Sequence, residues 1–346
     1  MHFLVTGHTG FKGSWLVKLL VNLGHTVSGI ALDPLEGDLY EKANLGRLML
    51  NDFRQDIREY ELLNSIFQEV NPDVVMHLAA QPLVLESYKK PVETYETNVL
   101  GTLNVLRASE NLSNLQAQLI VTTDKVYKNN PNVNGYVESD ALGGIDPYSA
   151  SKAMADILTQ SWIKMPSKAR TSIVRAGNVI GGGDNSKDRI MTDMMTAFKY
   201  GTSLDIRHPE AVRPWQHVLD SLSGYLAIVR KLLQAPTQPA WNIGPSATNY
   251  RNVSQLIELS ETVLEKSLSK NYIPSSFVET QHLTLNATLA NSELGWRNEW
   301  DFEETVKRTV NWYKDNFLGI DADSLCERDI FDFLSSYANQ NRAVFL

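Results

Sequence analysis

Two short motifs in the middle of the chain contain residue types suited to acid–base chemistry. Tyr148 and Lys152 stand four residues apart, so on a helix their side chains share one face. A tyrosine with an ordinary pKa of about 10 is a poor base at neutral pH, but a nearby ammonium group favours the phenolate and lowers that pKa. The pair therefore predicts a proton-transfer site, although a solvated helix face has the same spacing.

The second motif is Thr122-Thr123-Asp124-Lys125, which ends a strand candidate ahead of Tyr148. Open parallel sheets bind ligands at the carboxyl ends of their strands. Thr123 can hydrogen-bond a substrate hydroxyl, while Asp124 and Lys125 add an acid and a possible base beside it. The alternative is a polar turn in which Asp124 caps and Lys125 lies in solvent.

A glycine-rich loop near the N-terminus spans Gly7 to Gly13 (GHTGFKG), between a strand candidate and a helix candidate. Gly7 permits a tight turn, Gly10 lets the backbone approach a pyrophosphate, and Gly13 lets the helix pack on the strand. The helix N-terminus offers free N–H groups to phosphate. Asp33, after the second strand candidate, is placed to accept ribose hydroxyls and to repel a 2′-phosphate, which predicts NAD rather than NADP. An ordinary tight turn with Asp33 as a helix cap is the alternative.

The elements that must position these motifs alternate along the first half of the chain. Short apolar runs and longer amphipathic stretches follow one another up to about residue 175, as in a parallel sheet wrapped by helices. The strand candidates are 3–6, 26–31, 49–53, 74–78, 119–122 and 172–174. The helix candidates are 12–23, 59–69, 98–110 and 149–163. This pattern indicates an α/β fold with a doubly wound parallel sheet, the Rossmann type.

The second half of the chain predicts a smaller lobe that is partly interleaved with the first. The NAD-binding domain covers 1–177 and is completed by about 215–243, where strand and helix character returns. The remaining segments, 178–214 and 244–320, form a lobe that closes over the carboxyl edge of the sheet and binds the substrate. Residues 321–346 make a tail with no motif that we can interpret.

Composition narrows the functional classes. The 346 residues have a net charge of −8, which argues against a nucleic-acid or anionic-membrane surface. Cys326 is the single cysteine, so neither an internal disulfide nor a multi-cysteine metal site is expected, and we predict no metal. The N-terminus has no signal-peptide pattern and no apolar run is long enough to span a membrane, so a cytosolic protein is expected.

Together these motifs resemble the extended short-chain dehydrogenase/reductases, and among them the CDP-glucose 4,6-dehydratase family. The likeness covers roughly residues 1–310. Its segments are 7–16 (GHTGFKGSWL), 77–84 (HLAAQPLV), 91–101 (PVETYETNVLG), 122–125 (TTDK), 142–152 (LGGIDPYSASK), 175–184 (RAGNVIGGGD) and 212–226 (VRPWQHVLDSLSGYL). The pair Asp124-Lys125 is informative because the related dTDP-glucose dehydratases usually have Asp-Glu there.

The resemblance implies a lyase that uses redox chemistry internally. Tyr148 takes the proton of the sugar C4 hydroxyl, Lys152 holds the cofactor ribose and Thr123 fixes the substrate. Hydride passes from C4 to NAD, and the new ketone makes the C5 hydrogen acidic. Lys125, or a water that it positions, removes this hydrogen while Asp124 protonates the departing C6 hydroxyl. The hydride then returns to C6, so the net reaction is loss of water.

The resemblance also implies the remaining contacts. The nucleotide-sugar lobe offers forked arginine donors that match phosphate oxygens, although a single arginine is more often in a surface salt bridge. Trp215, in the same motif as His217, is either a site residue or a core residue. A homodimer through the helices near 98–110 and 149–163 is expected. The implied cofactor contacts are Gly7, Thr9, Gly10, Phe11, Lys12, Gly13, Asp33, Asp56, Ile57, Ala79, Ala80, Gln81, Asn98, Tyr148 and Lys152. The implied substrate contacts are Asn178, Arg189, Arg207, Arg213 and His217.

One segment departs from the family, and two other functions stay open. Relatives carry tryptophans before the Gly-Tyr of segment 129–137 (NNPNVNGYV) and an arginine after it, where this chain has Asn132, Asn134 and Val137. The exact sugar and nucleotide are therefore open, and so is a 4,6-dehydratase for another nucleotide hexose. An epimerase or ketoreductase on this scaffold would not need the acid and base at 124–125. A cofactor-binding regulator with a decayed site would need neither the tyrosine nor the lysine of the first motif.

Overall fold

The strands form one large sheet and three small ones in the computed structural model, which describes residues 1–130, 135–166, 169–274 and 283–339. The strands are β1 His2–Thr6, β2 Thr26–Ala31, β3 Asn51–Arg54, β4 Val74–His77, β5 Ala117–Val121, β6 Arg170–Ala176, β7 Val179–Ile180, β8 Leu204–Ile206, β9 Val212–Pro214, β10 Gln216–His217, β11 Ala240–Ile243, β12 Tyr250–Asn252 and β13 Lys270–Tyr272.

Helices cover both faces of the large sheet and continue beyond it. They are α1 Phe11–Asn22, α2 Leu39–Lys42, α3 Tyr60–Val70, α4 Val84–Lys89, α5 Pro91–Tyr95, α6 Gly101–Ser109, α7 Pro147–Ile163, α8 Ile190–Tyr200, α9 Val218–Gln234, α10 Val253–Leu264, α11 Thr288–Glu293, α12 Phe302–Phe317 and α13 Ala322–Asn339. A π-helical turn, Glu96–Leu100, joins α5 to α6, and short 3-10 turns cover Leu45–Leu48, Asp124–Val126 and Ala247–Asn249.

The large sheet is entirely parallel, with strand order β11-β6-β5-β4-β1-β2-β3. Every residue of β4 and β5 is buried, which is why these strands are mostly apolar rather than alternating, with His77 and Gln118 as their polar members. The pairs Thr6 with His77 and Val121 with Val174 bring the carboxyl ends of neighbouring strands to one edge of the sheet. The predicted doubly wound α/β fold is confirmed.

Most predicted elements are present, with shifted ends. Helix α7 begins two residues earlier than expected because Asp146 and Ser149 form a capping box and Pro147 occupies the first turn. The helix expected at 98–110 is part of a longer helical stretch that starts with α5 and passes through the π-helical turn. Strand β11 lies beside β6, so chain from beyond residue 178 does return to the large sheet.

Most of the C-terminal segment in which the sequence showed no interpretable motif forms a helix, α13. Helix α13 packs against α12, α1 and α2, and its apolar residues belong to the main core. Lys18 of α1 donates a hydrogen bond of 2.5 Å to Asp323. The helix was not predicted, although its apolar residues follow helical spacing: Ala322, Leu325, Cys326, Ile330, Phe333 and Tyr337.

The described ranges contain no helix that is both long and apolar enough to cross a membrane.

Candidate active site

A cavity of about 840 Å³ follows the carboxyl edge of the large sheet. Residues directly after β1 to β6 all contribute to its lining, and β8, β9 and the start of α8 supply an opposing wall. This position agrees with the general location of ligands in doubly wound sheets. The lining segments after the strands include 9–13, 31–32, 55–58, 78–86, 121–125 and 176–181.

The loop from Gly7 to Gly13 has the geometry of a phosphate cradle. Gly7 has φ +77°, and a Cβ built on it would lie 2.6 Å from the backbone nitrogen of Ala79. A Cβ on Gly13 would lie 2.1 Å from the Gly7 carbonyl oxygen, so α1 packs close to the loop. A Cβ on Gly10 would meet only that carbonyl, at 3.5 Å. Gly10 therefore leaves open space beside the helix N-terminus, which no side chain of the described residues caps.

The remaining members of this loop also line the cavity. Thr9 is buried and donates its hydroxyl to the carbonyl of Leu32 at 3.1 Å, which joins the loop to the end of β2. Phe11 and Lys12 lie in the first turn of α1. The Nζ atom of Lys12 donates to the hydroxyl of Tyr225 at 3.2 Å. All of the loop residues predicted to contact the cofactor are therefore at the cavity surface.

The opposite end of the cavity carries the residues predicted for the adenosine half of a dinucleotide. Asp56 and Ile57 follow β3 and line the cavity. Asp33 lies at the rim, because its neighbour Leu32 lines the cavity while its own side chain is 86% exposed. Its carboxylate lies 3.3 Å from Nε of Arg54. Asp33 is thus beside the cavity rather than part of its wall, and its contact with ribose stays a prediction.

The loop after β4 lines the cavity with Ala79, Ala80 and Gln81. Asn98 lies behind this loop, is 1% exposed and does not line the cavity. Its amide oxygen accepts the N–H of Gln81 at 2.8 Å, and its amide nitrogen donates to Oγ of Ser151 at 2.9 Å. The structure therefore does not bring Asn98 to the cavity surface: this buried side chain joins the loop to α7.

The residues of the two acid–base motifs meet at one point of the cavity. The Tyr148 hydroxyl forms a hydrogen bond with Thr123, and Thr123 Oγ1 donates to Oδ1 of Asp124 at 3.0 Å. All three side chains line the cavity, and Lys125 lies beside them, half-buried. A base and an acid can therefore reach one small substrate at the same time.

Asp124 is almost completely buried, and burial raises the pKa of its carboxyl. The positive charge of Lys125 and the hydrogen bond from Thr123 oppose this shift. Its Oδ2 atom has no hydrogen-bond partner among the described residues. A Cβ on Gly177 would lie 3.2 Å from this oxygen, so the absence of a side chain there leaves room for it. These features favour a protonated carboxyl that can donate to a bound molecule.

The pKa of Tyr148 is raised in the structure, whereas the sequence predicts that it is lowered. Burial raises this pKa to about 12, and the hydrogen bond between Tyr148 and Thr123 opposes the shift only in part. Lys152, which was expected to lower it, donates its Nζ proton to the carbonyl of Val121 at 2.7 Å. The expected lowering of the Tyr148 pKa therefore depends on positive charge from a cofactor rather than on Lys152 alone.

Lys152 is itself strongly affected by its surroundings. Burial lowers its pKa to about 8, the positive charge of Lys12 lowers it further, and Asp156 opposes the shift. Lys152 is 5% exposed and lines the cavity one turn after Tyr148. At neutral pH it stays protonated and can donate hydrogen bonds into the cavity.

The wall opposite the sheet edge carries the predicted phosphate-binding arginines. Arg189 Nη1 lies 2.6 Å from Oδ2 of Asp184, and Arg207 Nη2 lies 2.6 Å from Oδ1 of Asp188. Arg213 is 4% exposed and also lines the cavity, as does Asn178. The positive charges of these arginines act on the acid–base residues. Arg213 lowers the pKa of Asp124, and Arg189 lowers the pKa of Tyr148, so each charge opposes the effect of burial. The structure brings all four predicted residues to one cavity.

His217 does not belong to this wall. It is completely buried between the rings of Trp15 and Trp300, and its Nδ1 atom accepts the N–H of Leu219 at 3.2 Å to cap α9. Burial lowers its pKa to about 3. The structure therefore does not bring His217 to the cavity surface with the other predicted substrate contacts. Trp215, for which both roles were open, is 3% exposed and lines the cavity.

Several lining residues were not predicted from the sequence. Gly177 directly follows β6, so the rule that ligands bind at strand ends would have found it. Asp188 and Asp193 lie before and within the first turn of α8, where no sequence signal marks them. Burial, together with the charge of Asp188, raises the pKa of Asp193 to about 6.

The structure describes only part of the segment 129–137, which departs from the family. Asn132 and Asn134 lie outside the described residues, whereas Asn129, at the start of the segment, lines the cavity.

No group of three or more His, Cys, Asp or Glu side chains in the described part of the chain is arranged to hold a metal ion.

Comparisons with known proteins agree with this geometry. The family model described as GDP-mannose 4,6 dehydratase matches residues 4–309. The CDP-glucose 4,6-dehydratase of Salmonella typhimurium is 39% identical over 344 residues, with 96% of each chain covered. The UDP-glucose 4-epimerase of Thermotoga maritima, solved with UDP-glucose, superposes with a TM-score of 0.82 at 26% identity, covering 91% of this chain and 99% of that one. The dTDP-glucose 4,6-dehydratase of Streptomyces venezuelae, solved with NAD bound, gives 0.81 at 25% identity, covering 91% and 98%.

The fold, the glycine loop and the tyrosine–lysine pair of α7 define an extended short-chain dehydrogenase/reductase. Within that class the resemblance found in the sequence is confirmed. The chain belongs to the GDP-mannose 4,6 dehydratase family. The predicted class of activity, a nucleotide-sugar 4,6-dehydratase and hence a hydro-lyase, is confirmed at the level of this family.

Proposed function

We propose that this chain converts CDP-glucose into CDP-4-keto-6-deoxyglucose with NAD as its cofactor. The observation that carries the proposal is the meeting of Tyr148, Thr123 and the buried Asp124 in one cavity. A dehydratase needs a base at one carbon of the sugar and an acid near another, and this trio provides both. CDP-glucose is the substrate in the name of the Salmonella relative, and Lys125 after Asp124 agrees with that choice.

The cradle at Gly7 to Gly13 supports NAD as the cofactor. Its open face at Gly10 and the uncapped N-terminus of α1 suit a pyrophosphate. Asp33 at the rim suits ribose hydroxyls and disfavours a 2′-phosphate. Arg54, which lies 3.3 Å from Asp33, is also paired with Asp52, so its charge is already balanced. Bound NAD would accept a hydride from C4 and return it later to C6.

The chain's own residues would handle the protons. Tyr148 takes the proton of the C4 hydroxyl, which Thr123 holds in place, while Lys152 donates to the cofactor ribose. Once C4 is a ketone, the C5 hydrogen is acidic, and Lys125 in its neutral form, or a water that it positions, removes it as a proton. Asp124 gives its proton to the C6 hydroxyl, which leaves as water. When the hydride returns to C6, the base gives its proton back to C5, and the proton held by Tyr148 restores Asp124 through solvent. The net change is loss of one water from the hexose, with no net change in the cofactor.

A nucleotide-sugar epimerase on the same scaffold is the second candidate, because the Thermotoga epimerase has a similar fold. Epimerisation at C4 requires the base and the hydride acceptor but no acid for a leaving hydroxyl. The raised pKa of Asp124 and its unpartnered Oδ2 are therefore unexplained by epimerisation and explained by dehydration.

The test is incubation of the purified protein with NAD and, in parallel, CDP-glucose, dTDP-glucose, UDP-glucose or GDP-mannose. We expect the alkali-induced ultraviolet absorbance of a 4-keto sugar, with CDP-glucose turned over fastest. A 4-keto product from another nucleotide sugar only would overturn the substrate. Formation of CDP-galactose without a 4-keto product would overturn the reaction.

Replacing Asp33 by asparagine is expected to weaken NAD binding about tenfold, because a hydrogen bond from ribose to a charged acceptor is lost. Affinity for NADP should change less, since removal of the carboxylate also removes repulsion of the 2′-phosphate. Titration of protein fluorescence with each cofactor measures both affinities. The control Glu69→Gln makes the same charge change on the exposed face of α3. Equal losses for both cofactors would contradict a role for Asp33 at the ribose.

We further propose a homodimer whose contact face is formed by α5, the π-helical turn and α7. These helices contact one another and expose a cluster of apolar side chains. The members of the cluster are 48–68% exposed: Val92, Leu100, Met154 and Ile157. A patch of this kind on neighbouring helices suits a self-complementary interface with a second copy.

Ile157→Glu is expected to dissociate this dimer, because it places a charge in the centre of an apolar contact. Sedimentation velocity at several protein concentrations measures the result. Leu318→Glu, at a position that is 83% exposed beyond the end of α12, is the control and should leave the dimer intact. A monomeric parent protein, or equal behaviour of both variants, would contradict the proposed face.

We propose a cytosolic reaction, since NAD and nucleotide-activated sugars are made there. The 4-keto group of the product is suited to later reduction or amination, so the product would feed deoxysugar biosynthesis, such as that of O-antigen and lipopolysaccharide.

A further inference from the structure

We propose that the buried ion pair between Arg175 and Asp156 is a positioning device that holds the acid Asp124 in register with Tyr148. The two carboxylate oxygens of Asp156 accept hydrogen bonds from Nε and Nη2 of Arg175, each at 2.8 Å. Both side chains are at most 1% exposed. The inference rests on the proposed function, because it assigns a supporting role in the same elimination.

The ion pair holds both ends of the turn Thr123–Val126, which we call the catalytic turn because it contains Asp124. Thr122, directly before that turn, places its Oγ1 atom 3.2 Å from Oδ2 of Asp156 and 3.2 Å from the carbonyl oxygen of Val174 in β6, so its proton is shared between the two acceptors. Tyr127, directly after it, accepts a hydrogen bond of 2.9 Å from Nη1 of Arg175. The segment between these two tethers is Thr123–Val126, which contains the proposed acid. Its position is therefore fixed from both sides by one pair of charges.

The same pair belongs to the helix that carries the base. Asp156 lies one turn after Lys152 and two turns after Tyr148 on α7, while Arg175 lies in β6. A shift of the catalytic turn relative to α7 would break at least one of the bonds to Asp156 or Arg175. The distance between the acid and the phenol is thus set by the ion pair and not only by the backbone of two separate elements.

Tyr127 extends the device to the edge of the sheet. Burial raises its pKa to about 12, so its hydroxyl stays protonated and donates to Oδ1 of Asn242 at 2.6 Å. Asn242 lies in β11, and its side-chain amide donates to the carbonyl of Tyr136 at 2.8 Å. The ring of Tyr136 stacks on that of Tyr127, with centroids 4.8 Å apart. In this series of hydrogen bonds each donor group has an acceptor, which makes the arrangement rigid.

Stability alone is a weak reason for such a pair. Removing two charges from water is costly, and an apolar pair of similar volume is often as stable. A function that depends on exact placement explains the arrangement better, because small displacements of an acid or base cost large factors in rate. We therefore assign the tethers to catalysis and expect their loss to be visible first in the rate.

The test is Tyr127→Phe, which removes one hydroxyl and leaves the ion pair in place. We expect kcat with CDP-glucose and NAD to fall about tenfold, since a hydrogen bond to a charged group is lost, while KM and NAD affinity stay within about twofold. C4 oxidation, followed as reduced cofactor in a single turnover, should fall less than overall turnover. Tyr250→Phe is the matched control, because it removes a half-buried hydroxyl that donates to the carbonyl of Leu285 at 2.7 Å, and Tyr250 does not line the cavity.

A second variant, Thr122→Val, cuts the other tether without changing side-chain shape and keeps the test available if Tyr127→Phe folds poorly. Its effect and that of Tyr127→Phe should be less than additive, since both hold the same turn. Equal loss of oxidation and elimination, or a decrease in kcat no larger than that of Tyr250→Phe, would overturn the positioning role. A parent protein that makes no 4-keto sugar from CDP-glucose would overturn the proposed function instead.

Discussion

Replacing Tyr148 by phenylalanine is expected to lower kcat by about 10³-fold, with both C4 oxidation and overall turnover affected equally. Acid–base groups of this kind contribute about 10² to 10⁴ in rate, and the first step cannot begin without the phenolate. Burial raises the pKa of the Tyr148 phenol to about 12 in the protein without a bound cofactor. The parent rate should therefore rise with pH as the phenolate fraction grows, and the variant should lose this slope. Single-turnover formation of reduced cofactor, measured across a pH range, gives both results.

The control for this variant is Tyr200→Phe, at a tyrosine that is 67% exposed at the end of α8. It should leave kcat unchanged. Thermal unfolding should be similar for the parent and both variants, because neither hydroxyl holds the core together. If Tyr148→Phe kept more than a tenth of the parent oxidation rate, another group would have to be the base.

Replacing Asp124 by asparagine is expected to separate the two halves of the reaction. Asparagine has nearly the same shape but cannot give its proton to a leaving hydroxyl, so overall kcat should fall about 100-fold or more. Oxidation at C4 does not use this proton and should fall less than about tenfold. Enzyme-bound reduced cofactor should therefore accumulate in the variant and not in the parent. Rapid mixing with detection of cofactor absorbance measures this accumulation.

Asp140→Asn provides the comparison for this result, because Asp140 caps a turn through the N–H of Val137 and does not line the cavity. It should not cause reduced cofactor to accumulate. Equal losses of oxidation and dehydration in Asp124→Asn would contradict the role of Asp124 as the acid. The elimination would then have to use a different proton donor.

The large sheet was predictable because its central strands are buried on both faces and therefore appear as mostly apolar runs separated by amphipathic helices. The glycine loop was predictable for a related reason, since Gly7 and Gly13 occupy places where any Cβ would collide with backbone. Helix α13 was not predicted although its apolar spacing is regular, because its surface is rich in charge and no motif draws attention to it.

The site was predictable where strand ends supply it and less so elsewhere. Thr123, Asp124 and Tyr148 follow a strand or begin a helix at the sheet edge, so their meeting could be inferred from topology alone. His217 and Asn98 lie in segments that resemble the family equally well but point away from the cavity. Sequence similarity gives the position of a residue along the chain, whereas the direction of its side chain depends on packing.

The pKa of Tyr148 could not have been obtained from the sequence. Its direction depends on how much water is excluded from the phenol and on which acceptor Lys152 uses. Spacing on a helix specifies only that two side chains share a face. The acceptor, the carbonyl of Val121, is supplied by β5, a different element.

The contact between α1 and α13 has a consequence for the order in which the core forms. Lys18, on the helix behind the glycine loop, pairs with Asp323, which is 305 positions away in the sequence. Contacts between such distant parts of a chain are slow to form, because a large loop has to close first. The apolar surface of α1 that faces α13 is therefore expected to be covered late in folding.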